Sequence, residues 1–319
     1  MIDTIKIYIP ISEIPSNYYD THIVRFDNRR ITKTDSGDKW VFCTHRNLRI
    51  HYNNRGLSIE GSLSKYKYGS NQYTLNLNDF IEVIDNLCFE FGLPLKECKV
   101  TRIDLAENIF TVKSVEHYYK YLGEIKSLSR VKMNNGIEYR NGNRAICFYN
   151  KVKELKHSGD IVSKIFDGKN VLRYEYRLQN NVTISKILNV SSATVDDVIN
   201  GHQNLIREWL NTFIKIYKNH DLISFRSEAY SDSQGIEKQL MIAGINSLGG
   251  IQNILEIIKE ARKNKVFKYP NRATSLTRKI KDLMHTPVLT ERSKLIYELE
   301  GKIKLAGFLS TSYEYLWRT

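Results

Sequence analysis

The amino-acid sequence predicts an α+β protein, with a mostly antiparallel sheet and flanking helices in residues 1–182 and an all-helical domain in residues 183–319. Two observations support this division. Up to about residue 180, short runs of β-forming residues are broken by turn signals, whereas afterwards apolar residues recur at helical spacing. Because strands, two helices and then β-hairpins follow one another in the first part, an antiparallel sheet with helices on one face is favoured.

The strands of the first domain are predicted from alternating or β-rich runs, at residues 5–11, 40–52, 57–61, 72–77, 99–110, 144–151 and 171–179. The dipeptide Asn141-Gly142 predicts a hairpin turn before the strand at 144. One helix is expected to begin at Asn78 or Asp79 and to bury one face, formed by Phe80, Val83, Ile84, Leu87 and Phe91. A second helix is predicted over residues 114–122.

The second domain is predicted to be helical from the spacing of its apolar residues. Between residues 195 and 217 they recur at intervals of three and four, as on one face of a helix. Similar periodicity predicts helices at 236–246, 250–264, 273–284 and 290–306.

Charge and composition narrow the class of partner. The chain has 48 Lys and Arg against 35 Asp and Glu, a formal net charge of +13, which indicates a polyanion and predicts DNA or RNA as the partner. No apolar run approaches the ~20 residues of a membrane-spanning helix, so no membrane partner is expected. The four cysteines and eight histidines show no metal-binding spacing, which favours the reducing cytoplasm and leaves carboxylates to bind any metal.

Three short polar clusters interrupt the β runs of the first domain, at 102-RIDLAEN-108, 144-RAICFYNKVKE-154 and 173-RYEYRL-178. Residues two apart on a strand share a face, so Arg102 lies beside Asp104 and Arg173 beside Glu175. An inward carboxylate is costly unless it is paired or holds a metal. The clusters are therefore either cross-strand ion pairs on a solvated face, or an oxygen-ligand site in which Asp104 and Glu175 hold Mg²⁺ or Mn²⁺.

Tyr149 stands at the end of the second of these strands. A phenol with an ordinary pKa near 10 is a poor nucleophile at neutral pH, but a divalent ion or an adjacent cation favours the phenolate and stabilises a pentacovalent phosphate. Lys151 is such a neighbour in sequence. Tyr149 is thus a candidate nucleophile, with an ordinary packing or base-stacking aromatic as the open alternative.

Four segments together resemble the successive motifs of the gene II/X family of phage and plasmid replication proteins, namely MIDTIKIYIPI at the start, TRIDLAENI at 101–109, RAICFYNKVKEL at 144–155 and VLRYEYRL at 171–178. The last three also resemble the Rep initiators of small Gram-positive rolling-circle plasmids. The resemblance covers roughly residues 1–180 and lies in the order and spacing of the motifs. It implies a fold related to the HUH-endonuclease palm and a site-specific DNA-nicking and strand-transfer enzyme that initiates rolling-circle replication.

The resemblance also implies roles for individual residues. The nucleophile that forms a 5′-phosphotyrosyl link falls on Tyr149, and the metal ligands fall on Asp104 and Glu175. A further family carboxylate falls on Asn76, so either Glu60 or Glu107 would take its place, unless water completes the site.

Cationic side chains are predicted to contact DNA in both domains. Lys151 and Arg144 would neutralise phosphate charge beside Tyr149, and Arg102 and Arg173 are the other cations of the polar clusters. The segment 259–281 interleaves Lys and Arg with aromatic residues, as in proteins that follow a DNA backbone, although a solvated helical face is equally compatible with it. Its candidate DNA contacts are Lys265, Lys268 and Arg272.

The function predicted from the sequence is therefore a metal-dependent tyrosine endonuclease and DNA strand transferase that acts as a replication initiator. The alternative is a DNA-binding protein without catalysis that recognises an origin or operator, and a third interpretation is an RNA-binding module. The joint presence of Arg102 with Asp104, a tyrosine with a lysine, and Arg173 with Glu175 favours the enzyme, because binding alone does not require it. Origin recognition, homodimer formation and recruitment of a host helicase are all open for the helical domain.

Overall fold

A computed structural model describes residues 1–33, 37–219, 223–225, 233–269, 271–283, 290–292 and 294–312. Its centre is a ten-stranded antiparallel sheet in the order β2-β3-β4-β5-β1-β6-β10-β9-β8-β7. The strands are β1 (Ile2–Pro10), β2 (Asp27–Lys33), β3 (Lys39–His45), β4 (Leu48–Asn53), β5 (Gly56–Ser62), β6 (Lys99–Thr111), β7 (Ser129–Met133), β8 (Gly136–Arg140), β9 (Arg144–Asn150) and β10 (Asn170–Leu178). The α+β class with a large antiparallel sheet is confirmed.

The sheet consists of two five-stranded halves with the same connectivity. In each half the chain first forms the central strand, β1 or β6, then crosses to the outer edge at β2 or β7 and returns strand by strand until β5 or β10 pairs with the central strand. The two central strands pair with each other, with Thr4 opposite Asp104 and Lys6 opposite Arg102. The polar segments at 102–108 and 173–178 therefore lie on adjacent strands in the middle of the sheet.

The helices in the order of the chain are α1 (Tyr18–Thr21), α2 (Leu63–Tyr68), α3 (Leu77–Phe91), α4 (Lys151–Ser158), α5 (Asn181–Leu188), α6 (Val195–Asn200), α7 (His202–Lys215), α8 (Ser233–Ser247), α9 (Gly250–Lys263), α10 (Asn271–Leu283) and α11 (Leu295–Ser312). Two short strands, β11 (Ile223–Phe225) and β12 (Thr290–Arg292), form a separate antiparallel pair. The region after residue 182 is thus mainly helical, but the prediction that it is wholly helical is wrong.

The central sheet has one apolar and one polar face, because side chains alternate along each strand. The apolar face includes Ile7, Ile59 and Ile103, all buried. There Tyr174 of β10 stacks on Trp209 of α7, with ring centroids 4.4 Å apart, and donates a 2.7 Å hydrogen bond to the Trp209 carbonyl oxygen. The polar face includes Lys6, Glu60, Arg102, Asp104, Glu175 and Tyr149, which the strand register places on the same side.

Two helix predictions in the first part have different outcomes. The five apolar residues predicted for α3 are all buried, although the helix is capped by the Asn76 side chain, which accepts from the Asp79 backbone N–H, rather than by Asn78 or Asp79. Residues 114–122 form two short 3₁₀ helices instead of one α-helix. The reason is that Val115, Tyr118 and Tyr121 are all buried at a spacing of three, the repeat of a 3₁₀ helix.

The chain divides into two compact units, Met1–Asn219 with Leu295–Thr319, and His220–Lys294. The sequence-derived boundary after residue 182 falls inside the first unit, because α5 and α7 pack against β6 and α7 also packs against β10. The second unit contains α8, α9, α10 and the β11–β12 pair. A functional division at residue 182 stays a prediction.

Among the described residues, no single helix is long and apolar enough to cross a membrane. One bent pair, Gly235–Ser247 and Gly250–Lys263, meets the criterion by length and composition only, with 83° between the two helices.

We expect the Tyr174→Ala variant to lose about 3–5 kcal/mol of unfolding free energy, as truncation of a buried aromatic side chain typically costs. Tyr174→Phe keeps the ring and loses only the hydrogen bond to Trp209, about 1 kcal/mol. Urea denaturation followed by circular dichroism measures both. The control is Phe89→Ala on α3, a side chain that is 89% exposed. Equal losses in the two alanine variants would contradict the packing of α7 on the sheet.

Candidate active site

Three adjacent strands bring Tyr149, Glu175 and Asp104 to one place on the polar face. In the register of β9 on β10, Tyr149 is opposite Arg173 and Cys147 is opposite Glu175. The Tyr149 hydroxyl donates a hydrogen bond to Glu175 Oε2 at 3.2 Å. In the register of β10 on β6, Arg177 is opposite Asp104. Tyr149 is partly exposed, whereas Asp104 and Glu175 are buried.

Arginine side chains hold both carboxylates. Arg102 donates to Asp104 in a bidentate arrangement, with Nε to Oδ1 at 2.9 Å and Nη2 to Oδ2 at 2.6 Å. Arg177 Nη2 donates to Glu175 Oε2 at 3.2 Å, and its Nε lies 3.9 Å from Asp104 Oδ2. The Arg102 and Arg177 side chains are 28% and 30% exposed, so both can be reached from solvent.

This arrangement shifts the pKa values of the three acidic groups in different directions. Burial raises the pKa of Asp104, and the neighbouring Glu175 raises it further against the opposing effect of Arg102. Burial also acts to raise the pKa of Glu175, but Arg177 and Arg173 more than offset it, so this pKa is lowered. Burial and the Glu175 charge raise the pKa of Tyr149 well above its ordinary value. At rest the site thus contains a neutral phenol hydrogen-bonded to an ionised carboxylate.

Arg173, predicted as a DNA contact, is instead completely buried. Its guanidinium donates to the Asn71 carbonyl oxygen at 3.3 Å and to Asn108 Oδ1 at 3.2 Å, and it lies 3.2 Å from Asp3 Oδ2. It is opposite Tyr149 on the neighbouring strand. In this structure Arg173 therefore positions the strand and the segment around Asn71 and contributes positive charge beside Tyr149.

Lys151, predicted as a catalytic residue, is also completely buried. It begins α4 directly after β9, and its Nζ donates to Asn71 Oδ1 at 2.9 Å and to Glu154 Oε2 at 2.6 Å. Burial and the nearby Arg173 lower its pKa. The structure thus places Lys151 one layer behind Tyr149, where it fixes the start of α4 and ties it to the segment around Asn71.

The candidates for a third metal ligand lie at different places. Glu60 is on the polar face, but three cations surround it, Arg102 at 3.0 Å, Arg49 at 3.1 Å and Lys6 at 3.4 Å. Glu107 is opposite Tyr174 and therefore lies on the apolar face, away from Asp104. Asn76 is occupied as the cap of α3. Of these positions, only Glu60 shares a face with the site, and Arg102 separates it from Asp104.

The structure does not bring Arg144 to Tyr149. Arg144 is five residues away on β9, on the apolar face, where its guanidinium lies 3.4 Å from the Tyr176 hydroxyl and 3.9 Å from Glu208. The pairing of Arg144 with Leu178 puts it at the opposite end of the strand. Its predicted role beside the nucleophile is not supported by this placement.

The predicted DNA contacts of the basic segment lie in the second unit. Lys265 follows α9, and Lys268 and Arg272 are close to the Tyr269 ring, at 5.7 and 5.8 Å from its centroid. All of these side chains are exposed. They remain candidates for binding to a phosphate backbone.

The donor set at the centre of the sheet is chemically compatible with a hard divalent cation. Two like charges close together raise the pKa of Asp104, and a bound cation would relieve that repulsion. Within the described ranges, no three His, Cys, Asp or Glu side chains are grouped for a metal ion. Mg²⁺, however, is commonly bound by one or two carboxylates together with water and substrate phosphate. Asp104 and Glu175 fit this pattern, provided that Arg102 and Arg177 can turn away.

Sequence reasoning does not identify several members of this site. Asp3 and Asn71 are absent from its candidates, although both hold buried cations, and Arg177 enters only as a neighbour of Glu175 on its strand. Arg177 could have been chosen from RYEYRL, because it stands two residues after Glu175. No local pattern identifies Asn71, because its two partners are 80 and 102 residues away along the chain.

The fold and the site define a class of basic α+β proteins in which a sheet-borne tyrosine, two carboxylates and several arginines share one polar face. Comparison with known families gives the next step, since a model of the family described as the N-terminal part of a phage replication-associated protein matches residues 1–196. This chain belongs to that family, which implies DNA as its partner. The resemblance carried by the four motifs is confirmed at this level. No curated protein matches the sequence.

We expect Arg173→Met to lower the free energy of unfolding by about 3–5 kcal/mol, because it leaves the buried Asp3 without its cation. The control is Lys65→Met, which breaks the half-exposed pair with Asp160 and should cost about 0–1 kcal/mol. Urea denaturation measures both. A stable Arg173→Met protein with weakened DNA binding would instead make Arg173 the DNA contact that the sequence predicted.

We also expect Asp104 to make stability fall with rising pH in metal-free buffer. Its pKa is raised from an ordinary 3.8 to about 7, so the folded protein retains a proton that the unfolded chain has released. The stabilising effect of that proton is complete below about pH 4 and is lost as the pH rises through about 7. Urea denaturation of wild type and Asp104→Asn across this range tests it. The wild-type advantage should shrink as pH rises, and parallel curves would contradict the assignment.

Proposed function

We propose that this protein is a replication initiator that nicks DNA through Tyr149 and keeps the 5′ end as a phosphotyrosyl link. The observation that supports this most directly is the 3.2 Å hydrogen bond from the Tyr149 hydroxyl to Glu175, within a group of arginines. Family membership supports replication and DNA, and it does not by itself specify the chemistry. A structural relation to the HUH-endonuclease palm is part of the same proposal.

In the proposed reaction, Tyr149 is the nucleophile and Glu175 accepts its proton. The phenol oxygen attacks the scissile phosphorus as its proton moves to Glu175 Oε2, to which it is already hydrogen-bonded. The bond from phosphorus to the 3′ oxygen breaks, the 5′ phosphate stays on Tyr149, and the released 3′ oxygen takes a proton from solvent. The free 3′-hydroxyl can then prime DNA synthesis, and its later attack on the phosphotyrosyl bond would reverse the link and join strands.

Arg177 and Arg102 have the exposure needed to stabilise the charge on the phosphate. Each already binds a carboxylate, and a guanidinium that meets a phosphate can form the same bidentate hydrogen bonds. Lys151 and Arg173 are too deeply buried to touch DNA and instead hold the end of β9 and the start of α4. They act in the proposed enzyme as positioning residues for Tyr149.

Mg²⁺ or Mn²⁺ would be held by Asp104 and Glu175, with water and the substrate phosphate completing its ligands. When bound there, the ion would supply Lewis-acid polarisation of the phosphate and favour the phenolate. Glu60 lies on the same face behind Arg102 and would act through that arginine. Homodimer formation, helicase recruitment and DNA contacts by Lys265, Lys268 and Arg272 stay predictions of the same proposal.

We expect purified protein with Mn²⁺ to nick labelled single-stranded DNA from its own replicon and to become attached to the 5′ product. Tyr149→Phe should give no covalent product, because no phenol oxygen remains to attack. Glu175→Gln should slow the reaction by about 10²–10⁴-fold through loss of the proton acceptor. A denaturing gel of protein-linked and free DNA measures both effects, and EDTA should abolish the nick.

The control is Tyr217→Phe, which removes a hydroxyl from an exposed tyrosine after α7. It should nick at the wild-type rate. If wild type binds the DNA but neither nicks it nor becomes attached to it with Mn²⁺ or Mg²⁺, the protein is a non-catalytic origin-binding protein. Nicking by Tyr149→Phe would reject this tyrosine as the nucleophile while leaving the activity in place.

A further inference from the structure

The polar face continues away from Tyr149 to a group of aromatic side chains. Trp40 and Phe42 on β3 and His51 on β4 lie on this face, because Phe42 pairs with His51 and Val41 between the first two is buried on the other side. The Trp40 and Phe42 rings are 6.3 Å apart at 28°, and Phe42 meets His51 edge-on at 4.8 Å. We refer to these three side chains as the aromatic patch.

The aromatic patch is partly exposed, although aromatic side chains of this size usually contribute to a core. On the same strands, Val41, Cys43 and Ile50 are almost completely buried on the apolar face. The alternation could have placed small or charged side chains on the outer side of β3 instead. Exposed rings on a flat strand surface offer a stacking platform for planar ligands.

Cations surround the aromatic patch and link it to the candidate active site. Arg30 is paired opposite Phe42 and is exposed, and Arg49 lies next to His51 on the same face with 64% of its side chain exposed. Beyond them, Glu60 is outnumbered by Lys6, Arg49 and Arg102. The strip between the patch and Asp104 therefore has an excess of positive charge and complements a phosphate backbone.

His51 is suited to stacking rather than to charge. Burial, together with the positive charge of Lys6, lowers its pKa. The ring is therefore neutral at neutral pH, and its edge contact with Phe42 makes it a support for the two larger rings.

We propose that the aromatic patch and the adjacent cations bind the unpaired bases and phosphates of single-stranded DNA next to the nick site. This inference rests on the proposed function, because it names the state of the DNA that reaches Tyr149. Six strand spacings separate β3 from β9, about 29 Å across the sheet. A strand crossing the polar face would stack bases on Trp40 and Phe42, pass Arg49 and Arg102, and place a phosphate at Tyr149.

Single-stranded rather than duplex DNA fits this surface, since bases can stack on protein rings only where their faces are not covered by neighbouring base pairs. A protein partner would also bury the aromatic rings. It is disfavoured by the row of arginines and lysines, which a polyanion satisfies without further partners. Family membership favours DNA over RNA as the nucleic acid.

The test measures binding without cleavage. Full-length Tyr149→Phe protein in EDTA is titrated into labelled oligothymidylate longer than the ~16 nucleotides that one binding domain covers. Added to this parent, Trp40→Ala and Phe42→Ala should each weaken binding by about 5- to 100-fold, the effect of one lost base stack. Arg49→Met should reduce the slope of log affinity against log salt by about 0.7, as one lost phosphate contact does.

Two controls separate stacking from folding and from general charge. Phe89→Ala removes an exposed ring from α3 and should leave the affinity unchanged. Urea midpoints establish that each variant is folded. If the alanine variants do not fold, quenching of the parent's fluorescence by oligothymidylate, compared with that of Trp40→Phe, gives the same information, because the difference isolates the signal of Trp40.

Unchanged affinity in both folded alanine variants would overturn the inference, as would an equal loss for a duplex of the same length or a preference for oligouridylate. These outcomes are independent of nicking. A wild-type protein that nicks DNA while Trp40→Ala binds normally retains the proposed function and loses the aromatic patch. A protein that never nicks but needs Trp40 for single-stranded DNA retains the patch and loses the enzyme.

Discussion

The structure depends on the placing of two carboxylates in the middle of a sheet, where charge is costly unless it is neutralised. Asp104 and Glu175 are buried on neighbouring strands, and each needs a guanidinium in hydrogen-bond contact. The arginines in turn require a face that helices leave open, because a fully covered Arg102 or Arg177 would need further partners. Burial of one face by α5 and α7 and exposure of part of the other thus follow from the same requirement.

The duplicated connectivity of the sheet makes this arrangement possible. In both halves, the first and last strands finish beside each other at the centre, so β5, β1, β6 and β10 are adjacent although they are far apart in sequence. Side chains from residues 6, 60, 102 and 175 therefore meet on one face. An edge strand could not hold a buried carboxylate in this way, since it has a neighbour on only one side.

The local parts of this structure could be predicted from the sequence. Alternation identifies the strands at 99–110 and 171–179, and the two-residue spacing correctly places Arg102 with Asp104 on one face. The same alternation cannot show that Arg173 is sealed by Asn71 and Asp3, because those contacts come from a loop and from a register shift near Ile2. Two further predictions fail for the same kind of reason. Closeness in sequence groups Arg144 with Tyr149, yet an odd spacing on a strand puts two residues on opposite faces.

The other failed prediction concerns the end of a strand. A phosphate contact for Lys151 follows from its position two residues after Tyr149, but the strand ends at Asn150 and the chain turns into α4, which buries the lysine. Side-chain direction at the end of an element depends on where that element stops, and sequence patterns locate such ends poorly.

Under the proposed function, the ion pairs that stabilise the resting site also restrain its chemistry until DNA arrives. Arg177 and Arg173 hold the pKa of Glu175 low, which makes it a weak proton acceptor for Tyr149. A phosphate that draws Arg177 away removes the larger of these two charge effects, so the pKa of Glu175 rises and its affinity for the phenol proton increases. Binding of the substrate would therefore strengthen the base at the moment it is needed, and an empty site would keep Tyr149 protonated and unreactive toward other phosphates.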